Sequence, residues 1–126
     1  MRIRRLQFED GIEIDIAPAI PEWNSIYNAA SMAHAKPFTF AAQAGRLSEE
    51  RSVEILAHTY AEGVIVGSPT PGLDGFSPRE WRAWLLSNPE KFATIRGIAE
   101  VKRNFDPNAE VKDADDETGA QAGPSS

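Results

Sequence analysis

With two histidines and no cysteine, this chain has few side chains suited to metal binding or nucleophilic chemistry. His58 and Glu62 are four residues apart in a stretch of helical periodicity, which sets both on one helix face where they could share a metal ion. A metal-dependent enzyme there needs a third strong ligand brought close by the fold. None lies nearby in sequence, so the pair reads as a surface histidine beside a carboxylate, and neither metal nor cofactor is expected. His34 falls near the end of another helical pattern, where a protonated ring suits the negative end of the dipole. The loop from Gly67 to Gly75 precedes a helix as phosphate cradles do, but it lacks their glycine-lysine-serine/threonine ending, and Pro69 and Pro71 remove backbone donors. Asp10, Asp15 and Asp74 are scattered without the spacing of a calcium loop. No serine has a histidine partner visible in the sequence. Catalytic residues are therefore not assigned, and the chain reads as a binding protein rather than an enzyme.

Aromatic residues are the stronger lead. Trp81 and Trp84 are three apart beside Leu85 and Leu86, so the apolar arc of that short helix is wide. Trp23, Trp81 and Trp84 all have the spacing of core residues, but a flank left uncovered would form a helix-packing surface for another protein. Phe38 and Phe40 either complete the core or belong to a surface that another subunit covers. The candidate partner-binding set is Phe38, Phe40, Trp81, Trp84, Leu85 and Phe92.

These side chains must be positioned by a recognisable series of elements. Residues 3–16 alternate around Glu9-Asp10-Gly11, the pattern of a β-hairpin. A two-residue loop would set Phe8 opposite Glu13 and Leu6 opposite Asp15, mixing apolar and acidic residues on each face. A three-residue loop with left-handed Gly11 instead pairs Phe8 with Ile12, Leu6 with Ile14 and Arg4 with Ile16, and leaves Gln7 opposite Glu13 and Arg5 opposite Asp15. The second register is the expected one. Helices are expected at about 21–35, 48–63, 78–88 and 89–104. The first carries Trp23, Ile26, Tyr27 and Ala30 on one face; the second is capped by Ser48 and turns Val53, Leu56 and Tyr60 inward.

The clearest signals lie between Gly75 and Phe105, which read as a helical hairpin. Ser77, Pro78 and Glu80 form a capping box with proline at the first helical position, and Phe76 can pack on Trp81. Asn88-Pro89 ends that helix, and Asn88 is expected to cap the next, which carries Phe92, Ile95, Ile98, Ala99 and Phe105. Between the first two expected helices, Phe38 and Phe40 alternate as in a short strand, and Ala41 to Ala44 could be a helical turn before Gly45. Gly63 to Gly67 reads equally as a last helical turn or a strand.

A length of 126 residues fits one domain. The formal charge of -6 is concentrated at one end, where residues 106–126 hold six acidic residues against one lysine and leave about -1 on the body. A near-neutral body and an acidic tail argue against nucleic acid as a partner, which needs a basic patch to neutralise phosphates. Arg2, Arg4 and Arg5 could form a basic arm, but the hairpin pairing accounts for part of that charge. The tail lacks large apolar residues and is expected to be disordered. No apolar run approaches the roughly 20 residues that span a bilayer, and the Met1-Arg2-Ile3-Arg4-Arg5 start lacks a signal-peptide core, so no membrane association is expected. Cysteine-free composition suits a reducing cytosol.

From Ala57 to Phe105 the chain resembles the tail assembly chaperones of long-tailed bacteriophages. The residues that carry the resemblance are Ala57, Ala61, Val64 and Val66, then the loop ending Gly72-Leu73-Asp74-Gly75-Phe76-Ser77-Pro78, then Trp81, Trp84-Leu85, Asn88-Pro89, Phe92 and Ile95. The loop departs from the family in having Gly67-Ser68-Pro69-Thr70-Pro71 where an acidic, aromatic segment is often found. The resemblance implies a non-enzymatic role in the bacterial host cytoplasm, binding the tape measure protein and helping to bring tail tube protein to it. It also implies absence from the finished virion and a frameshifted longer product, for which the polar tail would be a sensible junction. A small prophage-encoded regulatory or inhibitory protein acting on a host protein is the alternative. The expected fold is mainly helical α+β, with an N-terminal β-hairpin packed on a small helical bundle over residues 1–105, a disordered acidic tail over 106–126, and self-association as a homo-oligomer.

Overall fold

The computed structural model describes residues 2–106, so the expected disordered tail lies, apart from Asp106, outside the described residues. The hairpin adopts the register that keeps apolar side chains on one face. Strands β1 (Arg4–Gln7) and β2 (Glu13–Ile16) pair antiparallel, with Arg4 opposite Ile16, Arg5 opposite Asp15, Leu6 opposite Ile14 and Gln7 opposite Glu13. The loop closes as Phe8 N–H donates to the Ile12 carbonyl at 2.9 Å, and Gly11 takes a φ of 89°, the left-handed conformation a bulged turn needs. Leu6, Ile14 and Ile16 are buried. On the opposite face Arg5 grips Asp15 with two bonds of 2.8 and 3.1 Å.

A third strand makes this hairpin part of a sheet. Residues Ile65–Gly67 form β3 and pair antiparallel with β2, giving the order β1-β2-β3. This resolves the ambiguity of the Gly63 to Gly67 run. Beyond Gly67 the edge continues through side chains: the Ser68 hydroxyl donates to the Glu13 carbonyl, and Glu13 N–H donates to Thr70 Oγ1 at 2.8 Å. The loop is thereby docked on β2, and it buries Leu73.

Among the described residues the hairpin is followed by the helices α1 (Ser25–His34), α2 (Thr39–Gln43), α3 (Glu49–Gly63), α4 (Pro78–Ser87) and α5 (Pro89–Ala99). The start of α4 matches its sequence signature. Glu80 N–H donates to Ser77 Oγ at 3.2 Å, Ser77 N–H donates to Glu80 Oε1 at 2.8 Å, and Phe76 meets Trp81 edge-to-face at 5.1 Å. Ser48 caps α3 by accepting from Arg51 N–H.

Other boundaries differ from expectation for identifiable reasons. The helix expected from residue 21 begins as a 3-10 turn, Pro21–Trp23, and becomes α-helical only after Asn24, whose side chain is an N-cap rather than a helix-interior group. Phe38 and Phe40 lie in no strand: Lys36–Phe38 is a 3-10 turn with proline inside its first turn, and it runs into α2. Asn88 does not cap α5 with its side chain; its amide donates to the Trp84 carbonyl at 2.9 Å and closes the end of α4. Helix α5 stops at Ala99, not at 104. Val101 is extended, and a second reversal, the 3-10 turn Lys102–Phe105, returns Phe105 to the core, while the Asn104 amide donates to the Ile98 carbonyl.

The core lies between the sheet and α3, α4 and α5, joining Leu6, Ile14 and Ile16 to Tyr60, Val64, Leu85, Phe92 and Ile95. Tyr60 is fully buried, sits edge-on to Phe92 at 5.6 Å, and donates its hydroxyl to Glu100 Oε2 at 3.1 Å. Burial first, and the Glu100 charge second, push that phenol far above the usual tyrosine range, so it remains a neutral donor. Of the expected inward residues of α3, Tyr60 is buried and Val53 and Leu56 are only partly so. Ile55, Ala57, Thr59 and Ala61 are buried instead, because α1 and α4 both pack on this helix.

Asn24 fixes how α1 meets α3. It is buried, its Oδ1 accepts from Tyr27 N–H at 2.9 Å, and its amide donates to the Pro18 carbonyl at 2.8 Å and the Gly63 carbonyl at 2.7 Å. A Cβ added at Gly63 would stand 2.5 Å from Tyr27 Cα. Asn24→Ala should therefore cost about 2–4 kcal/mol in urea unfolding, summing a lost cap and two buried carbonyls left without a donor. Gly63→Ala, which in an open helix would gain up to about 1 kcal/mol, should instead destabilise. A neutral or stabilising Gly63→Ala would show that the two helices do not touch this closely.

Candidate functional site

Helices α1 and α3 run in opposite directions along their contact, since Tyr27 lies against Gly63 while Phe38, further along, lies under the Arg51 guanidinium at 5.0 Å. His34 ends α1 and thus faces the middle of α3. There it meets both members of the i, i+4 pair: its ring centroid is 4.6 Å from that of His58, and its Nε2 is 2.8 Å from Glu62 Oε1. Ligand atoms of the three residues all lie within 4.8 Å of one another. The third potential ligand that His58 and Glu62 lack nearby in sequence is thus a histidine on another helix.

The cluster sits in a crevice completed by α4. Two adjoining hollows share His58 and Arg82; one extends toward His34, Phe38 and Glu54, the other toward Glu62, Pro78 and Arg79. His34 Nε2 is shielded from solvent and has the Glu62 carboxylate as its close polar neighbour. Burial, then Arg82 and His34, lower the His58 pKa; Glu62 opposes the shift and Arg51 adds to it. His58 is thus held as a neutral imidazole more firmly than a free histidine. A neutral imidazole offers a lone pair to a proton or a metal.

The six aromatic and apolar candidates separate into two groups. Trp81, Leu85 and Phe92 are buried in the core, which corrects their assignment to a partner surface: α4 and α5 turn these positions against α3 and the sheet. Trp84 is partly buried on the edge of that cluster and stacks edge-on with Trp81 at 5.5 Å. Phe38 is half-buried beneath Arg51, and Phe40 is 73% exposed. Sequence reasoning missed Ile26 and Met32, which are 53% and 51% exposed. Helical spacing places Ile26 on one arc with Tyr27 and Ala30, but the close seat of Tyr27 on Gly63 turns it outward. The arginines of β1 and its approach are engaged within the chain: Arg5 with Asp15, and Arg2 over the Trp23 ring at 3.9 Å, with Arg4 buried.

Comparison with protein-family models, curated proteins and solved structures finds no match to this chain. Among the described residues, no helix is long and apolar enough to cross a membrane.

Because the His58 pKa is lowered on folding, the unfolded chain binds that proton more readily. Stability contributed by the neutral ring is full above the ordinary value of 6.5 and falls as the pH drops through it toward the folded value. Thermal unfolding in EDTA should accordingly show Tm declining below pH 6.5, and His58→Gln should flatten the decline. An unchanged slope in that variant would assign the acid sensitivity to other groups.

Proposed function

We propose that this chain is a non-enzymatic tail assembly chaperone that holds apolar helical segments of a phage tape measure protein and aids delivery of tail tube protein to them. The supporting observation is an uncovered apolar surface on a well-packed body. Ile26, Ala29 and Ala33 follow one another at i, i+3 and i+7 on α1, all exposed, with Met32 beside them. The chain then passes into α2, whose main neighbour is the 3-10 turn before it and whose Phe40 ring is exposed near Arg46. A stripe of small and flexible apolar side chains suits an amphipathic helix laid along it, and it adapts to many client segments. The resemblance carried by the Gly72 to Pro78 loop and the helices after it supplies the client's identity, the bacterial host cytoplasm as the place of action, and absence from the finished virion.

Co-expression of the full chain with a candidate phage tape measure protein tests the reading. A soluble, co-eluting complex is expected. Ile26→Glu and Phe40→Glu should each weaken that complex by about tenfold or more, the usual range for losing an apolar anchor, while circular dichroism stays unchanged because both residues are exposed. If the wild-type chain leaves the client insoluble, the chaperone reading fails, and capture of a host protein becomes the reading to pursue.

A further inference from the structure

We propose that His34, His58 and Glu62 form a binding site for a divalent transition-metal cation of the zinc class, independent of the tape measure reading. The geometry is suited to it. Ligand bonds of about 2.0–2.1 Å in a tetrahedron set neighbouring ligand atoms about 3.3 Å apart. The separations in the cluster begin at 2.8 Å for His34 Nε2 and Glu62 Oε1 and stay within 4.8 Å throughout, so small side-chain rotations suffice. The spacing of His58 and Glu62 on α3 already sets two ligands on one helix face, and His34 approaches from α1 with a solvent-shielded nitrogen beside the Glu62 carboxylate. Two imidazoles and one carboxylate favour zinc and its neighbours over calcium or magnesium, which prefer an all-oxygen shell.

The surroundings set the fourth position. Three protein ligands leave the fourth position of a tetrahedron unfilled, and the hollow that α4 lines reaches both His58 and Glu62. Arg79 and Arg82 stand there, so the open site favours an anionic ligand such as hydroxide or a carboxylate over a neutral one. Glu54, bound to Arg51 at 3.1 Å, lines the other hollow and offsets part of the positive charge. A bound ion would join the last turn of α1 to α3 immediately before the exposed α2.

Zinc titration of the full, tag-free chain by calorimetry is the test, with calcium chloride as a comparison. One zinc per chain and no calcium binding are expected. His34→Gln and Glu62→Gln should each weaken zinc binding at least about 100-fold, the upper end of what loss of an outer-shell partner costs. Zinc should also move the ring resonances of both His34 and His58 in NMR spectra of the wild-type chain, a readout that holds even if a variant folds poorly. Absence of saturable zinc binding, or zinc shifts at neither ring, would overturn the site and leave an imidazole–carboxylate ion pair.

Discussion

The contact between α1 and α3 depends on a single buried amide. Asn24 uses one acceptor and both donors of its side chain at once: it starts α1, holds the chain leaving β2 at Pro18, and receives the end of α3 at Gly63. Buried amides are stable only when such partners are complete, so this group discriminates strongly among helix placements. The missing side chain at Gly63 does the rest. It lets the Tyr27 backbone approach to a distance no other residue would allow, and that approach sets the rotation of α1 about its own axis.

From that rotation follow both surfaces with functional interest. Tyr27 and Ala30 turn inward, so Ile26, Ala29, Met32 and Ala33 turn toward solvent and His34 turns toward His58 and Glu62. The apolar stripe and the histidine cluster are thus two faces of one helix placed by one contact. The segment after it has less support: α2 is short, meets chiefly the turn that precedes it, and leaves Phe40 in water. Elements with so few tertiary contacts are where proteins move at least cost.

The other half of the molecule is more rigidly determined. The sheet presents Leu6, Ile14 and Ile16 to α3, α4 and α5, and Tyr60 sits among them with its hydroxyl satisfied by Glu100. Lys91 reaches from α5 to Asp10 in the hairpin loop at 2.8 Å and lies over the Phe8 ring, so the hairpin tip is tied to the helices as well as packed against them. The Lys91 ammonium holds the Asp10 carboxyl below its usual range, although so exposed a pair adds little to stability.

Local chemistry was sufficient to read the parts governed by short-range geometry. The hairpin register followed from keeping acidic and apolar side chains on separate faces, the α4 start from the Ser77–Glu80 box, and the end of α4 from Asn88-Pro89, because each depends on residues within a few positions of one another. Wherever a residue's role depended on a distant partner, the sequence was silent or misleading. Phe105 read as the end of a helix but reaches the core through a second reversal; Trp81, Leu85 and Phe92 read as open to a partner but are covered by the sheet and α3. The i, i+4 spacing of His58 and Glu62 was visible, yet their third neighbour lies 24 residues upstream of His58, on a helix whose rotation is set by Asn24 and Gly63. Sequence thus determined which side chains could act together along one helix; only tertiary packing, through the close α1–α3 contact, decided which helices would bring theirs to the same point.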